Sequence, residues 1–184
     1  MKVVIAPDSF KESMSAKEVC DCAERGILSL FPDWEIVKVP MADGGEGTVE
    51  SLIDGTNGKI YNEETLDPLG EKIVSKYGVL GDKNIAIIEM ATTSGLELIP
   101  EAKRNPYRTT TYGTGQLILK ALDHNVEKII LGIGGSATTD GGTGMLQALG
   151  AKLTDKEGNE IGFGGFELGK LKNIDFSALV TQCS

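Results

Sequence analysis

The sequence predicts an α/β protein built in two modules, and three observations predict it. The chain opens with a β-branched run, a helical period and a second apolar run, which read as strand, helix, strand. A middle section of short strands joined by tight turns follows, and helix and strand alternate again from Thr109. Glycine makes up 24 of 184 residues and gathers in clusters just after the expected strands, where backbone must approach something closely. Together these point to helices packed on a parallel sheet, joined to a second, more antiparallel α/β part.

Lys2 to Ala6 (KVVIA) is β-branched and of strand length. Val19, Ala23, Ile27 and Leu30 then recur at helical spacing, and Ser15 with Glu18 three residues on forms a capping box before them. Phe31-Pro-Asp breaks the helix, and Glu35 to Pro40 (EIVKVP) reads as the second strand. A glycine-rich turn leads into a short helix over Thr48 to Ile53. Lys59 to Tyr61, Ile73 to Val79 and Ile85 to Met90 are separated by Asp-Pro-Leu-Gly and Gly-Asp-Lys, the pattern of a meander. The first module is therefore expected over 1–56 and the second over 57–184. In the latter come a helix over Thr114 to Asp123, a strand over Glu127 to Gly132 and a helix through Gly144 to Leu149. A hairpin-like segment (AKLTDKEGNEI), a glycine-rich loop (GFGGFELG) and an apolar run (SALVTQC) complete the chain.

The formal charge is −9, which argues against nucleic acid as a partner, since that binding rests on cations releasing phosphate counterions. No stretch has the roughly 20 apolar residues of a membrane span, and the start MKVVIAPDSFKES turns polar too soon for a signal peptide. Cys20, Cys22 and Cys183 are an odd set in a chain large enough to need no disulfide, so a reducing, cytoplasmic setting is expected. His124, the one histidine, sits in a polar helix-ending stretch, which makes histidine-based catalysis improbable.

Three segments place carboxylates and small residues just after an expected strand: Pro7 to Lys11 (PDSFK), Met41 to Gly47 (MADGGEG) and Gly134 to Gly142 (GGSATTDGG). In an open parallel sheet the carboxyl ends of strands share one edge, and ligands bind in the crevice there. Glycine N–H groups suit phosphate oxygens, and carboxylates suit Mg²⁺. Asp8 or Asp43 could orient or deprotonate an attacking hydroxyl, and Lys11 could neutralise a transferring phosphoryl group. Arg104 and Arg108 fall beside three threonines, where a planar fork would meet a carboxylate or phosphate. No Walker motif is present. Gly132 to Ala137 matches a permissive dinucleotide fingerprint, which leaves an oxidoreductase, or a non-catalytic fragment, as alternatives.

Taken together, APDSFKES, PMADGGEGT, TTYGTGQLI and GIGGSATTDGGTGMLQALG, in this order, closely resemble the glycerate kinase family of bacterial type. The resemblance runs across the whole chain but reaches only the N-terminal half of the family pattern. It implies two α/β domains, one Rossmann-like, with the active site between them, and phosphorylation of D-glycerate by ATP, usually at the 2-hydroxyl, with Mg²⁺. Carried onto matching positions, it implies Asp8, Lys11 and Asp43 as catalytic residues. Ser9, Gly44, Gly45, Glu46, Arg108, Gly134, Gly135, Ser136 and Asp140 would bind substrate or nucleotide, with Asp43 and Asp140 at the metal. Because the fold would be incomplete relative to the family, this chain alone is expected to have little or no kinase activity.

Overall fold

A computed structural model describes residues 1–10, 13–54, 56–81 and 84–180. It is a mixed α/β structure with one small parallel sheet and a larger mixed one.

β1 (Lys2–Ile5) pairs in parallel with β2 (Glu35–Lys38), and the connection carries α1 (Ala16–Leu30). The capping box forms as the spacing predicts. The Glu18 N–H donates to Ser15 Oγ at 3.3 Å and the Ser15 N–H donates to Glu18 Oε2 at 2.8 Å, so two otherwise orphaned donors are satisfied. Cys20 is buried on the inner face of α1, its thiol reaching the Ile5 carbonyl, and burial pushes that thiol up.

The larger sheet has the order β3-β4-β5-β6, from β3 (Lys59–Leu66), β4 (Lys72–Val79), β5 (Ile85–Glu89) and β6 (Lys128–Gly132). The first three run antiparallel as the meander predicts, while β6 lies parallel to β5. The Asp-Pro-Leu-Gly turn closes because Asp67 Oδ1 accepts from the Leu69 and Glu71 N–H groups and Gly70 takes φ +85°.

α4 (Tyr112–Leu122) packs Leu117, Ile118 and Ala121 on Tyr77, Ala86 and Ile88, and α5 (Thr143–Ala148) packs on α4. The opposite face of β5 is covered by α2 (Thr48–Asp54), whose Val49 and Ile53 meet Ile87. That helix was expected to go with the first strands, yet its packing joins it to the larger sheet.

The hairpin-like segment forms as expected, the Asp155 N–H donating to the Asn159 carbonyl and the Ile161 N–H to the Leu153 carbonyl, both at 2.9 Å, around a bridge from Thr154 to Glu160. β7 (Lys152–Thr154) also pairs antiparallel with β8 (Asn173–Asp175), a longer-range partner that was not expected. The GFGGFELG segment coils into a 3₁₀ turn over Gly165–Lys170. Within SALVTQC, Val180 donates its N–H to Leu149 and Leu179 packs on the core, while Cys183 and its neighbours at 181–184 lie outside the described residues. His124 is exposed and tilts on Tyr61, ring centroids 4.2 Å apart. Among the described residues no helix is long and apolar enough to cross a membrane.

Candidate active site

The carboxyl ends of β1, β2, β5 and β6 meet around one cavity of about 410 Å³, within the size range of ordinary small-molecule sites. Asp8 and Ser9 come from the segment after β1, Asp43, Gly45 and Glu46 from the segment after β2, and Gly135 and Ser136 from the segment after β6. Beyond these, Lys76 of β4, Glu89 at the end of β5, Ala91, Thr92 and the stretch from Gly95 to Leu98 line the wall. A second cavity, about 540 Å³, adjoins it through Ser9, Glu46 and Lys76.

Local hydrogen bonds hold these loops. Asp8 Oδ1 accepts from the Ser9 N–H at 2.7 Å, and Asp43 Oδ1 accepts from the Gly45 N–H at 2.9 Å. The parallel ladder continues past the strands, with the Val39 N–H donating to Ile5 and the Met41 N–H to Pro7. α3 (Ala91–Ser94) follows β5 directly, and Gly95 bridges Ser136, which ties the β5 and β6 exits together.

The glycines make the close approach that their clustering predicts, but largely to one another. The Gly134 N–H donates to the Gly44 carbonyl at 3.2 Å, and a Cβ at Gly132 would stand 2.3 Å from that same oxygen. Gly44 itself takes φ +89°. Gly44 and Gly134 thus form a backbone seam behind the cavity and are not among the side chains and backbone that line it.

Asp140 is fully enclosed and does not reach the cavity. Its Oδ2 accepts from the Thr111 N–H, the Thr111 hydroxyl and the Gly144 N–H at 2.8, 2.9 and 3.2 Å, and Oδ1 accepts from the Gly142 N–H at 3.1 Å. A carboxylate so occupied is poorly placed to ligate an ion, and here it fastens the loop after β6 to the start of α4. Thr109, Thr110 and Thr111 are buried in the same join, Thr109 Oγ1 donating to the Ala137 carbonyl at 2.8 Å. Arg108 is exposed beside them and does not line the cavity. Lys11 lies outside the described residues.

Two residues that the sequence reading missed change the electrostatics. Lys76 is the only cation among the described residues lining the cavity, and it pairs with Glu50 Oε1. Glu89 is wholly buried, its Oε1 accepting the Val49 N–H at 2.7 Å while Oε2 has no partner among the described residues. Burial pushes the Glu89 carboxyl up, the Val49 N–H opposing it. The acid at the end of IAIIE was the available signal, since a charge closing an apolar strand falls at the sheet edge where ligands bind. Five acids, Asp8, Asp43, Glu46, Glu89 and Glu97, therefore face one lysine. Such a wall disfavours a bare anion and favours one that arrives with a divalent cation.

Gly132 to Ala137 gives the dinucleotide reading no support. A pyrophosphate site needs a helix opening directly after the strand, whereas this segment enters the bridge with Gly95, and α5 begins only at Thr143.

The family model described as the glycerate kinase family matches residues 3–184. Glycerate 2-kinase of Escherichia coli (strain K12) is 58% identical over 179 residues, which are 97% of this chain and 47% of that protein. Glycerate kinase of Haemophilus influenzae is 59% identical over 179 residues, with the same two coverages of 97% and 47%. A crystal structure from Salmonella typhimurium LT2 carrying the name glycerate kinase 2 superposes with a TM-score of 0.87 at 54% identity, covering 99% of this chain and 49% of that one. The chain thus spans about half the length of the curated relatives it matches.

Proposed function

This chain belongs to the glycerate kinase family, and we propose that the protein it represents transfers the γ-phosphoryl group of ATP to a hydroxyl of D-glycerate, the 2-hydroxyl as in the relative named glycerate 2-kinase. The observation that carries the reading is the cavity where four strand ends meet, walled by five acids and Lys76 and adjoined by a second cavity. Two neighbouring spaces suit two substrates that must meet in line.

Among the described residues no three His, Cys, Asp or Glu side chains are grouped to hold a metal by themselves. Mg²⁺ commonly uses one or two carboxylates and takes its other ligands from phosphate and water. Asp8 and Asp43, exposed at the cavity wall, fit that role, and the ion would supply neutralisation of the phosphate charge. The chain's own contribution is positioning and charge. Ser9, Gly45, Gly135 and Ser136 offer hydroxyls and backbone along the wall, and Lys76 is the cation among the described residues that could meet phosphate charge there.

We also read β1, α1 and β2 as the start of a Rossmann-like module, supported by their parallel pairing around a helix. We place the beginning of the second module nearer Thr48, a reading supported by the contact of Val49 and Ile53 with Ile87. A cytoplasmic setting accords with a nucleotide-using enzyme and a buried free thiol at Cys20.

The test is ADP release on addition of D-glycerate to the protein at its full natural length, with ATP and Mg²⁺. Asp43→Asn is expected to lower turnover roughly 10²-fold, the scale of losing one preorganised charge contact. Absence of glycerate-dependent ADP release from the unaltered protein would refute the reading.

A further inference from the structure

Glu89 combines three features that no other acid of the cavity combines. It is wholly buried, it lines the cavity, and one of its carboxyl oxygens is left without a partner among the described residues. Unpaired buried oxygens are costly and rare, and a fold keeps one where something else is to meet it. Its position is also fixed from both sides. Oε1 is held by the Val49 N–H at 2.7 Å, and the backbone is clamped by the β5–β6 register, Glu89 opposite Gly132.

Resting on the glycerate kinase reading, we propose that Glu89 Oε2 accepts the proton of the glycerate hydroxyl during phosphoryl transfer. As the hydroxyl oxygen forms its bond to the γ-phosphorus, its O–H bond breaks and the proton passes to Oε2. The bond from the γ-phosphorus to the bridging oxygen breaks, and ADP leaves with that electron pair. The neutral Glu89 returns its proton to solvent once product departs.

The neighbours favour this assignment over Asp8 and Asp43. Both of those are exposed, where a carboxylate is already hydrated and suited to neutralising a cation. Glu89 is shielded, and an anionic oxygen there repels phosphate but attracts a hydroxyl proton. Burial is the main cause that lifts its carboxyl above the usual range; the Val49 N–H lowers it, Glu50 of α2 raises it, Lys76 of β4 lowers it, and Glu46 raises it. Among the described residues, Asp8, Asp43 and Glu97 are the other charged groups that line the cavity. A base lifted toward neutrality accepts a proton more effectively than an ordinary carboxylate.

The experiment compares the unaltered protein, at full natural length, with Glu89→Gln, which keeps the volume and the acceptor for Val49. Turnover is expected to fall roughly 10²–10⁴-fold, the range for losing a general base, while KM for D-glycerate stays within about threefold. Turnover of the unaltered protein should decline on the acid side with an apparent pKa above the ordinary glutamate value of about 4.3, and that limb should vanish in Glu89→Gln. A loss of less than about tenfold overturns the proposal. Should Glu89→Gln fail to fold, the acid limb decides alone, since turnover independent of pH down to about 4.5 is incompatible with a lifted base. If the unaltered protein releases no ADP with D-glycerate, the functional reading falls and this assignment with it. Turnover retained in Glu89→Gln removes the assignment only.

Discussion

The strands KVVI of β1 and IAIIE of β5 are similar in composition, yet they meet opposite fates. β5 lies between β4 and β6 and is covered by α2 on one face and α4 on the other, so Ala86 to Glu89 are all buried. β1 pairs with β2 alone among the described residues, and its side chains alternate between exposed and half-buried, with Val4 59% exposed. Among the described residues around β1 and β2, the buried apolar ones are Ala16 and Cys20, both on α1. Apolar sequence sets what a strand can bury, and its neighbours set what it does bury. The cavity sits where these regions meet. Asp8 and Asp43 are carried by segments leaving the thinly buried pair, while Glu89 is carried by the packed strand.

Truncating the packed region should cost most. Leu117 is fully buried against Tyr77, Ala86 and Ile88, and Leu117→Ala is expected to destabilise by about 3 kcal/mol, within the usual range for cavity-forming changes. Chemical denaturation measures this, and a loss below about 1 kcal/mol would mean that the two regions differ less than their burial indicates. Gly132→Ala tests the seam between them. The added methyl would stand 2.3 Å from the Gly44 carbonyl, so the two backbones must part. A loss of about 2 kcal/mol, typical of overpacking, should appear in the thermal midpoint, together with lower turnover because the Asp43 segment moves. An unchanged midpoint would show that the seam yields freely.

Much of this was legible in the chain because the signals are local. The Ser15–Glu18 spacing gave the start of α1, and Asp67-Pro-Leu-Gly gave the β3–β4 turn. Alternating strand and helix placed Asp8, Asp43 and Gly135 at a common edge, since parallel strands end on one side. What stayed hidden depends on distant partners. β7 and β8 are three residues each and separated by the 3₁₀ turn, so no periodicity joins them. Asp140 in a glycine-rich loop reads alike as a metal ligand and as a cap for backbone, and only the four hydrogen bonds it accepts from Thr111, Gly142 and Gly144 tell them apart. Glycine clustering announces close approach but not its object, which here includes a second glycine loop. Glu89 carries no motif, and its significance comes from burial, which is a tertiary outcome.

The smallest effect belongs to the thin region itself. Ser15→Ala removes the side chain that accepts the Glu18 N–H, and losing such a cap typically costs about 1 kcal/mol. Because α1 supplies both buried apolar residues beside β1 and β2, the change should raise hydrogen exchange across α1, β1 and β2 while leaving β5 protected, as expected of regions that open separately. The reciprocal half of the cap has its own pH signature. The Ser15 backbone N–H, followed by its hydroxyl, holds the Glu18 carboxyl below the usual glutamate range. A lowered carboxyl contributes stability above its unfolded value and loses it as pH falls through the folded one. In the unaltered chain, exchange over the first turn of α1 should therefore rise as pH drops below about 4.3, after correction for the intrinsic exchange rate. Equal acceleration in β5 would mean that the two regions unfold as one unit, and the contrast drawn from their burial would then describe packing without describing cooperativity.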